Sequence, residues 1–201
     1  MSTPGNRETG GRQPRRADAR TNRERILTVA EEVFGKGGPS ASTEDVARLA
    51  NVGIATVFRH FPTKAALLEA VLAQRFHRLR EQAETLGDAA DPGAAFFDFF
   101  RHLVADAAGK IAIGEALLEA GGDGGDAAQA SAGLRRAVGV LLRHAQRAGA
   151  VRADVDLPEV YALLVATSRA SAQAHLAEEV RDRMLVIVFD GLAPPGTRGR
   201  G

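Results

Sequence analysis

The chain has 201 residues, 45% of them apolar, which suits one or two small domains with a buried core. It has no cysteine, which excludes a disulfide framework and any thiolate metal site, and no run nears the roughly 18–20 apolar residues that cross a membrane. Net charge is +1, but residues 1–80 hold 14 Lys/Arg against 8 Asp/Glu and the remainder 12 against 17, so a polyanion-facing N-terminal part is expected.

Residues 1–18 are rich in Gly, Pro and Arg without periodicity, and read as a disordered basic arm. The arm also lacks the apolar stretch of a secretory signal, so a soluble cytoplasmic protein is expected. Ile26, Ala30, Val33 and Phe34 then recur at helical spacing, and Lys36-Gly37-Gly38-Pro39 stops that helix. Thr43 reads as an N-cap, with Glu44 and Asp45 in the first turn and Val46, Leu49 and Ala50 apolar. Asn51-Val52-Gly53 allows a tight turn, and a second short helix runs from Ile54 to Phe61 before Pro62. Thr63 caps the next helix, which carries Leu67, Leu68, Val71, Leu72, Phe76 and Leu79. Two short helices joined by a three-residue turn make a helix-turn-helix at 42–61.

Beyond residue 85 the pattern stays helical, with helices expected over 94–108, 111–120, 134–148, 157–177 and 178–192. A break falls around Asp91-Pro92, and the run Gly121-Gly122-Asp123-Gly124-Gly125 is a loop because glycines melt helices. Residues 194–201 form a tail. The expected fold is all-α, about nine helices without strands.

The stretch Thr21–Val71 resembles the N-terminal domain of the TetR family of bacterial transcriptional regulators. The matching features are RERIL…A…VF in the first helix, T…DVA…A in the second, V…HF around the third and PTKAALL at the start of the fourth. The remainder is similar only through Gly149–Asp156 and a closing Asp190-Gly191-Leu192. The resemblance implies a DNA-binding domain over 19–79 and a ligand-binding and dimerisation domain over 83–193. The implied partners are double-stranded operator DNA, a second copy of the chain and a small-molecule effector, with no cofactor and no membrane. It further implies a repressor released from a near-palindromic operator. The alternative is a regulator of the same fold that senses no small molecule and answers to a partner protein or to abundance.

On a helical wheel of about 100° per residue, Val57, Phe58 and Phe61 share one side of the 54–61 helix and Ala55, Thr56, Arg59 and His60 the other. The first set is expected to pack on Val46, Leu49 and the first helix. The second is free to enter a major groove, which admits an α-helix. Ile54 falls on the apolar side, whereas the resemblance puts it near base edges, against a thymine methyl. Arg59 suits bidentate reading of guanine, or else meets a phosphate or solvent; Thr56 meets a base or a phosphate. The resemblance implies phosphate clamping by Thr43, Phe58, His60 and Lys64. Phe58 stands where the family has Tyr and cannot donate to phosphate, and His60 alternatively caps its own helix. Gly53 replaces a capping Ser. Arg15, Arg16 and Arg20 of the arm either neutralise phosphates or enter a minor groove, or the arm merely solubilises.

Candidate effector-pocket residues are Phe96, Phe100, His102, Leu103, Leu117 and Arg169. The resemblance places a dimer face on the last two helices, through Tyr161, Leu164, Val165, Ser168, Met184, Leu185 and Val188, which could equally be intramolecular core. The chain contains no G-x-S-x-G, H-E-x-x-H or phosphate-binding glycine loop, and its five histidines show no metal-ligand spacing, so no enzyme is expected.

Overall fold

The apolar stripes resolve into nine α-helices and no strand among the described residues, which are 13–173 and 176–195 of the computed structural model. They are α1 (Gln13–Gly37), α2 (Thr43–Leu49), α3 (Ile54–His60), α4 (Lys64–Leu86), α5 (Pro92–Ala105), α6 (Ala107–Glu119), α7 (Gly125–Arg147), α8 (Leu157–Gln173) and α9 (Glu178–Leu192). The all-α expectation holds. Several boundaries differ, each for a local reason. Helix α1 reaches back to Gln13, so residues 13–18 of the expected arm are helical; Pro14 falls in the first turn, where a missing N–H does no harm. The cap of α2 is Ser42 rather than Thr43, because its Oγ accepts from the Asp45 amide at 3.1 Å. Helix α7 starts well before the expected Leu134. Gly124, at φ 73°, closes the glycine loop in the left-handed region, and an alanine-rich segment then propagates the helix. Asn51, at φ 51°, makes the tight turn between α2 and α3.

Two hydrophobic cores share α4. The N-terminal core joins Ile26, Leu27, Ala30 and Phe34 of α1 to Val46, Val57, Phe61, Leu67, Leu68 and Val71. It also takes in Ile113, Ala116 and Leu117 of α6 and Ala127 of α7. The second core joins Leu79 and Ala83 of α4 to the phenylalanines of α5, the Val138–Leu142 stripe of α7, and Val160, Leu164, Leu185 and Leu192. Phe76 packs against both. No helix among the described residues is long and apolar enough to cross a membrane.

Candidate nucleic-acid interface and the five-helix junction

Helix α3 is anchored by two side chains. Val57 and Phe61 are buried in the N-terminal core, and Phe61 lies under the Arg23 guanidinium at 5.1 Å from its ring centroid. That orientation turns Ile54, Ala55, Phe58 and Arg59 outward, with Thr56 and His60 half-buried at the margins. Phe58 is therefore not core, contrary to its expected place beside Val57, and Leu49 of α2 is also exposed. On the wheel the buried arc is centred between Val57 and Phe61, so Ile54 and Phe58 lie at its edges and emerge. Their exposures, 37% and 40%, leave sizeable apolar groups on the face that also carries Arg59.

The supports around this face are hydrogen-bonded to one another and to the backbone. Ser42 Oγ donates to Asp45 Oδ2 at 2.8 Å, and Arg48 Nη2 donates to Asp45 Oδ1 at 2.8 Å. The Arg48 bond first, and the Ser42 bond second, hold the Asp45 carboxyl below its ordinary range. Thr43 is largely buried and its hydroxyl donates to Glu44 Oε2 at 3.2 Å. Gly53 caps α3 with no side-chain bond. Lys64 Nζ donates to the carbonyls of Pro39 (3.1 Å) and Ala41 (2.9 Å), and lies 5.3 Å from the Phe34 ring centroid. Two of its three donors thus bind α4 to the turn Gly38–Ser40 and its C-cap Ala41, a buttress that sequence alone did not indicate. Arg20 is exposed and 3.8 Å from Glu24. The side chains of Arg15 and Arg16 lie outside the described residues.

Behind the head, one arginine ties α4 to α1 and to the corner between α5 and α6. Arg75 of α4 is buried; its Nη1 donates to Glu31 Oε1 of α1 at 2.6 Å, and its Nε to Asp106 Oδ2 at 3.0 Å. Its Nη2 donates to the Asp106 carbonyl at 2.9 Å and to Asp106 Oδ1. Arg78 Nη2 completes the cluster with both oxygens of Glu31, at 2.7 and 2.6 Å. The signal for this was present: Arg75 falls on the apolar phase of α4, between Leu68, Val71, Leu72 and Leu79. A charge in such a stripe needs a partner.

The expected pocket residues do not converge. Phe96 and Phe100 are core, with Phe100 edge-on to Phe189 at 5.5 Å, and Leu117 belongs to the N-terminal core. Arg169 is exposed, and exposed His102 lines an open groove of about 660 Å³ between α4 and α5, with Arg78, Gln82, Leu86 and Phe99. Leu103 alone of the six reaches the closed space where α4 to α8 meet. That space is only about 20 Å³, and Phe76, Leu79, Asp106, Lys110, Leu134, Tyr161, Leu164, Val165 and Ser168 complete its wall. Lys110 was not among the sequence candidates. Burial pushes its amine below the usual lysine range; Asp106 opposes that shift, and the charges of Arg75 and Arg169 add to it.

Of the residues expected at a dimer face, Leu164, Ser168 and Leu185 are buried within the chain. They lie on the sides of α8 and α9 that face inward. Val165 is exposed, and Tyr161, Met184 and Val188 are half-buried. The outward sides instead carry Leu163, Val180, Val186 and Ile187, the last 73% exposed.

Comparison with known proteins matches both halves. Residues 26–71 match the family described as "Bacterial regulatory proteins, tetR family", and residues 91–194 match "Transcriptional regulator SbtR-like, C-terminal domain". A crystal structure of a TetR transcription regulatory protein from Mycobacterium vanbaalenii is 41% identical, with a TM-score of 0.74 over 90% of this chain and 99% of that one. The transcriptional regulator SrpR of Pseudomonas putida is 34% identical over 146 residues, 70% of this chain and 68% of SrpR. The regulator TtgW, also of Pseudomonas putida, is 44% identical over 64 residues, a match spanning 31% of this chain and about half (48%) of TtgW.

Proposed function

The chain belongs to the TetR family of bacterial transcriptional regulators, and on that footing we propose that it is a repressor that grips a near-palindromic operator as a homodimer and lets go when a small effector binds its helical body. The observation that carries the DNA reading is the outward face of α3, where Ile54, Ala55, Phe58 and Arg59 stand free while Val57 and Phe61 fix the helix to its core. In this reading Arg59 pairs with a guanine, Ile54 and Ala55 meet thymine methyls, and Thr56 contacts a base or a phosphate. Phe58 covers the sugar-phosphate edge. Thr43, His60, the third donor of Lys64, and the arm through Arg15, Arg16 and Arg20 meet phosphates.

Two recognition helices about 34–36 Å apart, or modestly more, would read the two half-sites. The exposed stripe of α9 (Val180, Val186, Ile187) beside Leu163 of α8 supplies the apolar face that a second copy covers, with half-buried Met184 at its edge. A ligand releases DNA only if it binds the non-DNA conformation better. One observation favours the alternative without an effector: the closed space in the body is about 20 Å³, room for about one water.

Footprinting across a salt series on DNA flanking the gene tests the proposal. A protected near-palindrome that weakens steeply with salt is expected, and no protection at moderate salt sinks it. Arg59→Ala should cost roughly 1–3 kcal/mol and relax preference at one base step. A uniform loss across all sequences would make Arg59 a phosphate contact instead.

A further inference from the structure

Half-buried Lys110 lines a narrow, leucine-rich space. Asp106 lies one helical turn before it, but both Asp106 oxygens are held by Arg75, and Lys110 makes no ion pair or hydrogen bond among the described residues. The space is lined from the neighbouring helices by Phe76, Leu79 and Leu134, with Tyr161 and Ser168 as its other polar side chains besides Asp106, and the charges of Arg75 and Arg169 also reach Lys110. A cation in such surroundings is short of one negative charge, and an apolar molecule bearing a carboxylate supplies both what the charge lacks and what the walls prefer.

We infer that the effector is an organic acid whose carboxylate sits on Lys110 Nζ and whose apolar part lies among Phe76 and the leucines of the junction. This rests on the effector-release reading above. The space is closed as it stands, and its solvent side is formed by Val165, which is 37% exposed, and half-buried Tyr161, covered by the Arg135 guanidinium at 4.8 Å. These are the side chains that swing aside to admit a ligand. The same position gives the acid a route to the head. A carboxylate on Lys110 stands beside Asp106 and repels it, while competing for the cations around it. Weakening the hold of Asp106 on Arg75 loosens Arg75 from Glu31, and Glu31 belongs to α1, the first helix of the DNA-binding head.

The test is calorimetric titration of the full chain with benzoate and octanoate, each beside its amide, benzamide or octanamide. At least one acid is expected to bind about tenfold or more tightly than its amide, and Lys110→Met to abolish the preference. Circular dichroism confirms that the variant folds; if it does not, Lys110→Gln keeps a polar head without the charge. Three results overturn the assignment: no binding of either acid at millimolar concentration, equal binding of acid and amide, or a preference that survives the substitution. Footprinting of the unliganded wild type is the separate readout. Its failure condemns the DNA-binding reading, whereas its success with no acid preference condemns only the ligand class.

Discussion

The two halves of α4 serve different cores. Leu67, Leu68, Val71 and Leu72 hold the DNA-binding head, while Leu79 and Ala83 hold the helical body, and buried Arg75 lies between them. The head is not self-sufficient, because Ile113, Ala116 and Leu117 of α6 complete its core. The body is closed mainly by its own helices, apart from the exposed apolar stripe on α8 and α9. A displacement inside the body therefore reaches the head by two routes: apolar contact through α6, and the polar link Asp106–Arg75–Glu31. The apolar route is nondirectional and tolerates sliding. The polar route has fixed geometry and fails abruptly.

Arg75→Met challenges that division most severely. It leaves Glu31 to Arg78 alone and strands Asp106, and removing one partner of a buried charge cluster costs about 3–5 kcal/mol. Urea unfolding should show the midpoint falling and the single transition splitting, with α1–α3 melting before α5–α9. A cooperative transition with an unchanged midpoint would show that the polar link neither stabilises nor couples the two parts.

Ile113→Ala probes the apolar route. Its side chain is fully buried, and truncating a buried isoleucine to alanine costs roughly 2–4 kcal/mol. Although Ile113 belongs to α6, amide exchange should quicken in α1 and α4 as well. If only α6 and α7 lose protection, the head is independent of the body and α6 carries no signal.

Much of this was legible beforehand. The stripe Ile26, Ala30, Phe34 and the pair Val57, Phe61 are core as the spacing predicted, because in short amphipathic helices one packing direction dominates. Leu49, Ile54 and Phe58 escaped that logic: a seven-residue helix buries an arc narrower than its apolar stripe, and the angle between helices decides which edge emerges. In the body, five helices compete for each apolar residue. Periodicity alone could not tell that Leu117 packs into the head or that Leu164 and Leu185 face inward rather than toward a second copy. Polar links fared worst, since Lys64 with the Pro39 and Ala41 carbonyls, and Arg75 with Glu31 and Asp106, join residues distant in sequence. Only the misplaced charge of Arg75 in an apolar stripe announced that such a link exists.

The smallest expected effect separates a local support of the DNA face from the links that span the molecule. Ser42→Ala removes the cap of α2 and should cost about 1 kcal/mol near neutral pH. Its pH dependence identifies the cause. The Asp45 carboxyl lies below its unfolded value of 3.8, so its stabilisation is present above that value and is lost as pH falls through the lowered folded one. Ser42 contributes to that lowering after Arg48, so the variant should lose less stability than the wild type on acidification, and the two unfolding midpoints should approach one another. Equal acid sensitivity in both proteins would mean that Arg48 alone sets the Asp45 charge and that the cap acts only through the backbone amide. Because the whole effect lies within α2, amide exchange in α5–α9 should stay unchanged, unlike the response to Arg75→Met. Loosening that spread into the body would make the helix-turn-helix part of the same cooperative unit, and the two-route picture would have to be abandoned.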